Sequence, residues 1–213
     1  MSKPITPDHD CQLCPRLAEF RALNRQKFPD KFNAPVPSFG DLNAELLIVG
    51  LAPGLKGANF SGRPFTGDFA GELLYGTLIK FGFARGEFKA CPDDGLKLMN
   101  CRITNAVRCV PPENKPIGAE INTCLQFLNN QLTIMPNLKI IVSLGLVSHN
   151  AVLKASGEKL SAHKFAHKAV HQLQNGLILI DSYHCSKYNT STKRLTEPMF
   201  HEVFELVKNR IQK

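Results

Sequence analysis

The chain has 213 residues, 43% of them hydrophobic and 21% charged, with 26 Lys and Arg against 18 Asp and Glu for a formal net charge of +8. That size and apolar content suffice to bury a core, which excludes a disordered tail or a fibrous repeat, and the basic excess points to a polyanionic partner, nucleic acid first. No apolar run approaches the ~20 residues that cross a bilayer, and the opening MSKPITPDHD lacks the apolar stretch of a secretory signal, so the cytosol is the expected compartment and no membrane partner is expected.

Taken in chain order, residues 45–50 (ELLIVG) are the first short β-rich apolar run. Phe69, Leu73, Leu74, Leu78 and Phe81 then recur at helical spacing. A second β-like run covers 103–107, a second helical stripe joins Ile121, Leu125, Leu128 and Leu132, and two further runs follow at 138–144 (LKIIVSL) and 177–182 (LILIDS). The last stripe is Met199, Val203, Phe204, Val207 and Ile211, with Thr196 as its N-cap and Pro198 in the first turn, where a missing N–H does no harm. Such alternation predicts an α/β fold, a three-layer αβα sandwich around a four-stranded parallel sheet, formed by a single domain over 1–213. Open sheets of this kind bind ligands at the carboxyl ends of their strands. The segments that matter most are therefore 50–54, 105–114 and 183–186.

Seven cysteines, an odd number without an export signal, argue against a disulfide framework. Cys11 and Cys14 form a CxxC, Cys109 follows the second strand, and Cys124 lies beyond it, after fourteen intervening residues, in a helical stripe. Two ligands from a tight turn and two distant ones would close a four-thiolate site that pins the N-terminal segment to the body of the domain. The competing reading is that Cys109 and Cys124 are core residues. Thiolates alone leave zinc and iron–sulfur both open. Cys91, Cys101 and Cys185 fall outside this set and read as free thiols. His163, His167 and His171 recur every four residues and on a helix would share a face, but Lys164 and Lys168 repel a cation. That stretch reads as phosphate-facing or surface, not as a metal site.

Residues 50–74 (GLAPGLKGANFSGRPFTGDFAGELL), 103–116 (ITNAVRCVPPENKP) with Cys124, and His184-Cys185-Ser186 with Asn189 resemble the iron–sulfur uracil-DNA glycosylases of families 4 and 5. The blocks span most of the chain in the family's order. Leu51 stands where family 4 carries an acid, and GANxxGRxFTGD is similar to family 5; Cys185 departs from the proline of the family's His-Pro-Ser. The resemblance implies a [4Fe–4S] cluster on Cys11, Cys14, Cys109 and Cys124, with zinc as the alternative. It also implies a monomeric, monofunctional enzyme that hydrolyses the N-glycosidic bond of uracil, and of other deaminated bases such as hypoxanthine, in single- and double-stranded DNA to leave an abasic site. Two competing readings are a non-catalytic nucleic-acid-binding module braced by its metal site and a strictly uracil-specific family 4 type enzyme.

By the same resemblance Phe65 stacks on a flipped base, Asn105 reads its edge or positions water, and His184 stabilises the departing base. Asn59 stands near the attacking water in lieu of the missing acid; Asp68 is the other candidate, although its place before a helical stripe also suits an N-cap. Gly50 and Ala52 let the backbone approach the substrate. Ser186 and Asn189 belong to a basic loop, with Lys187, Tyr188, Lys193 and Arg194, that enters the duplex beside the flipped nucleotide.

Overall fold

The computed structural model describes residues 4–212. Its elements in chain order are α1 (Pro15–Lys27), β1 (Phe39–Gly40), β2 (Leu46–Gly50), α2 (Ala58–Ser61), α3 (Phe69–Phe81), β3 (Ala84–Arg85), β4 (Lys97–Leu98), β5 (Cys101–Asn105), α4 (Gly118–Ile134), β6 (Ile140–Leu144), α5 (Leu146–Ala155), β7 (Val170–Gln172), β8 (Ile178–Ser182), α6 (Lys187–Ser191) and α7 (Glu197–Ile211). The main sheet has the order β1-β5-β2-β6-β8-β7, and β3 and β4 form a separate ribbon.

The inner four strands, β5, β2, β6 and β8, are parallel, as the alternation of elements predicts. The sheet gains an antiparallel edge strand on each side, β1 against β5 and β7 against β8. Strands buried on both faces carry near-continuous apolar runs, and side chains on successive residues point to opposite faces. Leu46 and Ile48 accordingly pack with Leu74, Tyr75 and Leu78 of α3 and with Phe200, Val203 and Phe204 of α7. Leu47 and Val49 face the other way, onto Leu128 of α4 and Ala151 and Val152 of α5. This is the three-layer arrangement. A third cluster joins Leu17 of α1 to Val107, Cys109, Cys124 and Phe127.

Local signals set the helix starts. Asp68 accepts a hydrogen bond from the Gly71 N–H at the start of α3, and Thr196 accepts one from Met199 at the start of α7. Two expectations are corrected. The second parallel strand is 101–105, not 103–107; Ala106 and Val107 continue along β2 through N–H donation to the Gly50 and Leu51 carbonyls, which places Asn105 at the strand's end. The four-residue histidine period does not mark a helix either. Lys168 has φ +66, which breaks any helix there, and His171 lies in β7 opposite Leu179.

Candidate active site

Gly50, Asn105 and Ser182 terminate three of the parallel strands, and the segments beyond them converge at one edge of the sheet. Ala52, Pro53, Gly54, Ala58, Phe65, Asp68, Ala70, Asn105 and His184 line a cavity of about 40 Å³ there. Phe65, Asn105 and His184, three residues singled out from separate stretches of sequence, thus share one concavity with Asp68 and Ala52. The Phe65 and His184 rings lie 6.2 Å apart between centroids, inclined by 30°.

Gly50 and Asn105 face each other in the β2–β5 register. A Cβ on Gly50 would stand 2.4 Å from Asn105 Oδ1 and 2.6 Å from Phe65 Cζ, so only glycine lets both side chains enter the cavity. Asn105 Oδ1 is buried and has no hydrogen-bond partner among the described residues. An unpaired buried acceptor costs about 1–3 kcal/mol, a cost that a ligand donor at this position would relieve.

Phe65 has φ +54, a left-handed conformation that a bulky residue adopts only under constraint. The constraint is a buried clamp. Arg63 donates from Nη1 and Nη2 to the two carboxylate oxygens of Asp94 at 2.7 Å each and from Nε to Thr66 Oγ1 at 2.7 Å. Its guanidinium lies 5.3–5.7 Å from the ring centroids of Phe39, Tyr75 and Phe88. The Tyr75 hydroxyl donates to the Pro64 carbonyl at 2.7 Å. Arg63 stands inside the 50–74 motif, but Asp94, 31 residues away, carries no local signal that pairs the two.

Burial raises the Asp68 carboxyl above its ordinary value, opposed by backbone N–H donation from Gly71 and Ala70. A Cβ on Gly57 would sit 2.5 Å from Asp68 Oδ2, so that glycine keeps the carboxylate's seat open. Burial likewise pushes His184 down to about 4, so its imidazole is neutral at physiological pH and donates through one nitrogen only. Asn189 Nδ2 donates to the His184 carbonyl at 2.8 Å, while Ser186 caps α6. These two residues therefore stand behind His184 and outside the cavity lining. Tyr188, on the same short helix, is 72% exposed.

Asn59 departs from expectation. It is buried, its Nδ2 donates to Asn33 Oδ1 at 2.8 Å, and it is absent from the cavity lining. Its amide braces the neighbouring loop, which leaves Asp68 as the acidic side chain of the cavity. Leu51 also points elsewhere, into a second cavity of about 250 Å³ bounded by Tyr183, His184, Asn189 and Arg194.

Cys11, Cys14, Cys109 and Cys124 come together as the sequence predicts, lining one enclosed cavity with Leu17, Arg21 and Phe127. Arg21 Nη1 approaches Cys109 Sγ at 3.6 Å and Nη2 donates to the Cys11 carbonyl at 2.7 Å. Burial pushes the Cys109 thiol up to about 11 and the Cys124 thiol up to about 12. A bound cation would reverse that preference by taking the thiolate as its ligand. Four convergent cysteines are compatible with a metal cluster.

The family model of the Uracil DNA glycosylase superfamily matches residues 37–208. A type-5 uracil-DNA glycosylase of Thermus thermophilus is 41% identical over 198 residues, which cover 91% of this chain and 90% of that protein. A type-5 uracil-DNA glycosylase of Pyrobaculum aerophilum is 37% identical over 199 residues, 91% of this chain and 86% of the relative. The type-4 uracil-DNA glycosylase of the same organism is 36% identical over a shorter stretch of 125 residues, 58% of this chain and 56% of the relative. With the family model spanning most of the chain and relatives of 37% and 41% identity aligned over 91% of it, this chain belongs to the uracil-DNA glycosylase superfamily.

Proposed function

We propose that the protein is a DNA-repair glycosylase of the type-5 kind, hydrolysing the N-glycosidic bond of uracil in DNA to leave an abasic site. The observation that carries this reading is the buried, unpartnered Asn105 Oδ1 in a cavity shared with Phe65 and His184. An everted base would stack on Phe65, a contact that contributes about 1–3 kcal/mol. Uracil offers a donor at N3–H to Asn105 Oδ1, whereas cytosine presents a lone pair there and would leave the acceptor unpaired. Neutral His184 donates a hydrogen bond to O2, where negative charge grows as the C1′–N1 electron pair departs with the base. Asp68, ionised, orients the water that attacks C1′, favours the cationic sugar, and accepts the water's proton. No lysine lines the cavity, which fits hydrolysis without a Schiff-base intermediate.

The four-cysteine cavity fits a [4Fe–4S] cluster better than zinc. A tetrahedral zinc with Zn–S bonds of about 2.3 Å draws its sulfurs to within about 3.8 Å of one another. Among the described residues, the group of donor atoms gathered within 4.8 Å is made of His149, His171 and Asp181, not of these thiols. When bound, the cluster supplies a covalent tie between the segment before α1, the segment after β5, and α4. It shares no lining residue with the base cavity.

Incubation of the purified protein with single- and double-stranded oligonucleotides carrying uracil, hypoxanthine or cytosine, followed by alkali, tests the reading. Strand scission at uracil and none at cytosine is expected, with scission at hypoxanthine marking the broader type-5 range. Intact strands for every lesion would leave a binding module in its place.

A further inference from the structure

The donor group of His149, His171 and Asp181 lies behind the sheet edge that presents His184, and no element of the proposed reaction uses it. His149 belongs to α5, His171 to β7 and Asp181 to β8. Their side chains are 1%, 11% and 0% exposed, and one ligand atom from each lies within 4.8 Å of the other two. His149 Nδ1 is 2.8 Å from Asp181 Oδ1, and His171 Nε2 is 2.9 Å from Asp181 Oδ2. Ser143 Oγ donates to Asp181 Oδ1 at 2.7 Å.

The decisive contact is on the far side of His149. Its Nε2 is 3.0 Å from the carbonyl oxygen of His163, which can only accept, so Nε2 carries the proton. In the neutral ring Nδ1 is then a lone pair aimed at a carboxylate oxygen. Two such groups at 2.8 Å need a proton or a metal ion between them. A ligating histidine whose other nitrogen donates to a backbone carbonyl is the usual outer support of a metal site. The surrounding charges permit a cation: Glu158 pairs with His163 at 3.3 Å, the Lys168 ammonium is turned outward onto Glu202 at 2.8 Å, Lys164 is exposed, and Phe165 packs edge-on against His149. The lysines that argue against a metal in the sequence are thus directed away from it.

We propose that His149 Nδ1, His171 Nε2 and the Asp181 carboxylate form a binding site for a zinc-class divalent cation, separate from the four cysteines. Two imidazoles and one carboxylate suit borderline ions of this class. Binding is a ligand exchange without redox change. The ion displaces to solvent the proton held between His149 Nδ1 and Asp181, and the His171 proton moves from Nε2 to Nδ1, so one net proton leaves per ion bound. The occupied site would tie α5, β7 and β8 together three residues ahead of His184.

The experiment uses the full-length protein with its cysteine site loaded, metal-stripped by mild chelation and titrated with zinc chloride alone. Calorimetry in two buffers of different ionisation enthalpy, with elemental analysis of zinc and iron, reads stoichiometry and proton release. One zinc per chain is expected, with iron content unchanged, about one proton released, and a higher melting temperature. The half-shielded His171 is the variant to make, since its replacement leaves the Asp181–Ser143 contact in place: His171→Gln should weaken zinc binding at least about tenfold and abolish the thermal shift, while Cys11→Ser should leave both unchanged. Failure of the wild-type protein to take up zinc, equal affinity in His171→Gln, or zinc uptake that expels iron and disappears in Cys11→Ser would each overturn the proposal. None of these outcomes bears on base excision, which is read independently by strand scission.

Discussion

Two buried polar neighbourhoods lie side by side at the carboxyl edge of the sheet, and they are built on opposite principles. In the clamp beneath Phe65, Arg63, Asp94, Thr66 and Tyr75 are paired among themselves and with the backbone, at distances near 2.7 Å. In the cavity that Asn105 shares with Phe65 and His184, its Oδ1 has no hydrogen-bond partner among the described residues. The saturated network converts binding capacity into rigidity, holding a phenylalanine at positive φ; the unsaturated one keeps capacity in reserve for a ligand. Stability and recognition therefore draw on different side chains in this molecule, with Phe65 as the residue that the two neighbourhoods share.

The largest effect should come from opening the clamp. Arg63→Met leaves the Asp94 carboxylate buried without its cation, which typically costs about 3–5 kcal/mol. For a chain of this length that lowers the melting temperature by roughly 6–20 °C, measurable by calorimetry. Uracil excision should fall as well, since Phe65 loses its support. The double variant Arg63→Met/Asp94→Leu should recover much of the stability, because no unpaired charge remains. If it recovers none, the clamp acts through shape instead of charge.

Next in size is the opposite pattern at the cavity. Asn105→Ala and His184→Ala should each lower kcat/KM for uracil excision by about 10²–10³-fold. The melting temperature of Asn105→Ala should stay level or rise, because the substitution removes an unpaid acceptor. A large fall in its melting temperature with little loss of turnover would reverse the contrast between the two regions.

A third test uses pH. Burial holds His184 at about 4, below the ordinary histidine value of about 6.5. Between those values the unfolded chain binds the proton more readily than the folded one. This group's contribution to stability is thus full above pH 6.5 and is lost as pH falls toward 4. His184→Asn should flatten the melting temperature against pH in that window. Asp68 is shifted the other way, upward, so its ionised form, needed to orient water, is lost above the usual carboxylate range as the solution is acidified. Asp68→Asn should lower turnover and remove that part of the acid limb; an unchanged profile would exclude Asp68 from the reaction.

The smallest effect is expected far from both regions. Thr196→Ala removes the cap that accepts from Met199 and should cost about 1 kcal/mol, with excision unaffected.

Legibility followed the range of the signal. The four parallel strands and helices α3, α4 and α7 were visible because apolar periodicity records which face each residue buries. Helix α1 was not, since its buried face includes Arg21 and Asn24. Helix α5 escaped for a similar reason, with Ser148 and His149 among its buried residues. Strands β1 and β7, two and three residues long, exist by virtue of the neighbour that each pairs with. In the site, Phe65, Asn105, His184 and the four cysteines could be named from motifs and spacing. Asn59 and Asp68 could not be told apart in the sequence, because both are polar residues of one short stretch and only the folded chain shows that the Asn59 amide is taken up by Asn33.

The amino-acid order by itself determined the α/β class, the strand ends at which ligands gather, the helix caps, and the cysteine and loop motifs that mark the superfamily. Tertiary structure alone decided who meets whom: Arg63 with Asp94 across 31 residues, His149 with Asp181 across 32, and His171 of a seemingly helical stretch with the Asp181 carboxylate on the adjoining strand. The physical reason is that periodicity encodes the direction in which a side chain is buried. The partner it finds there is set by the path of crossovers between parallel strands, which no local pattern records.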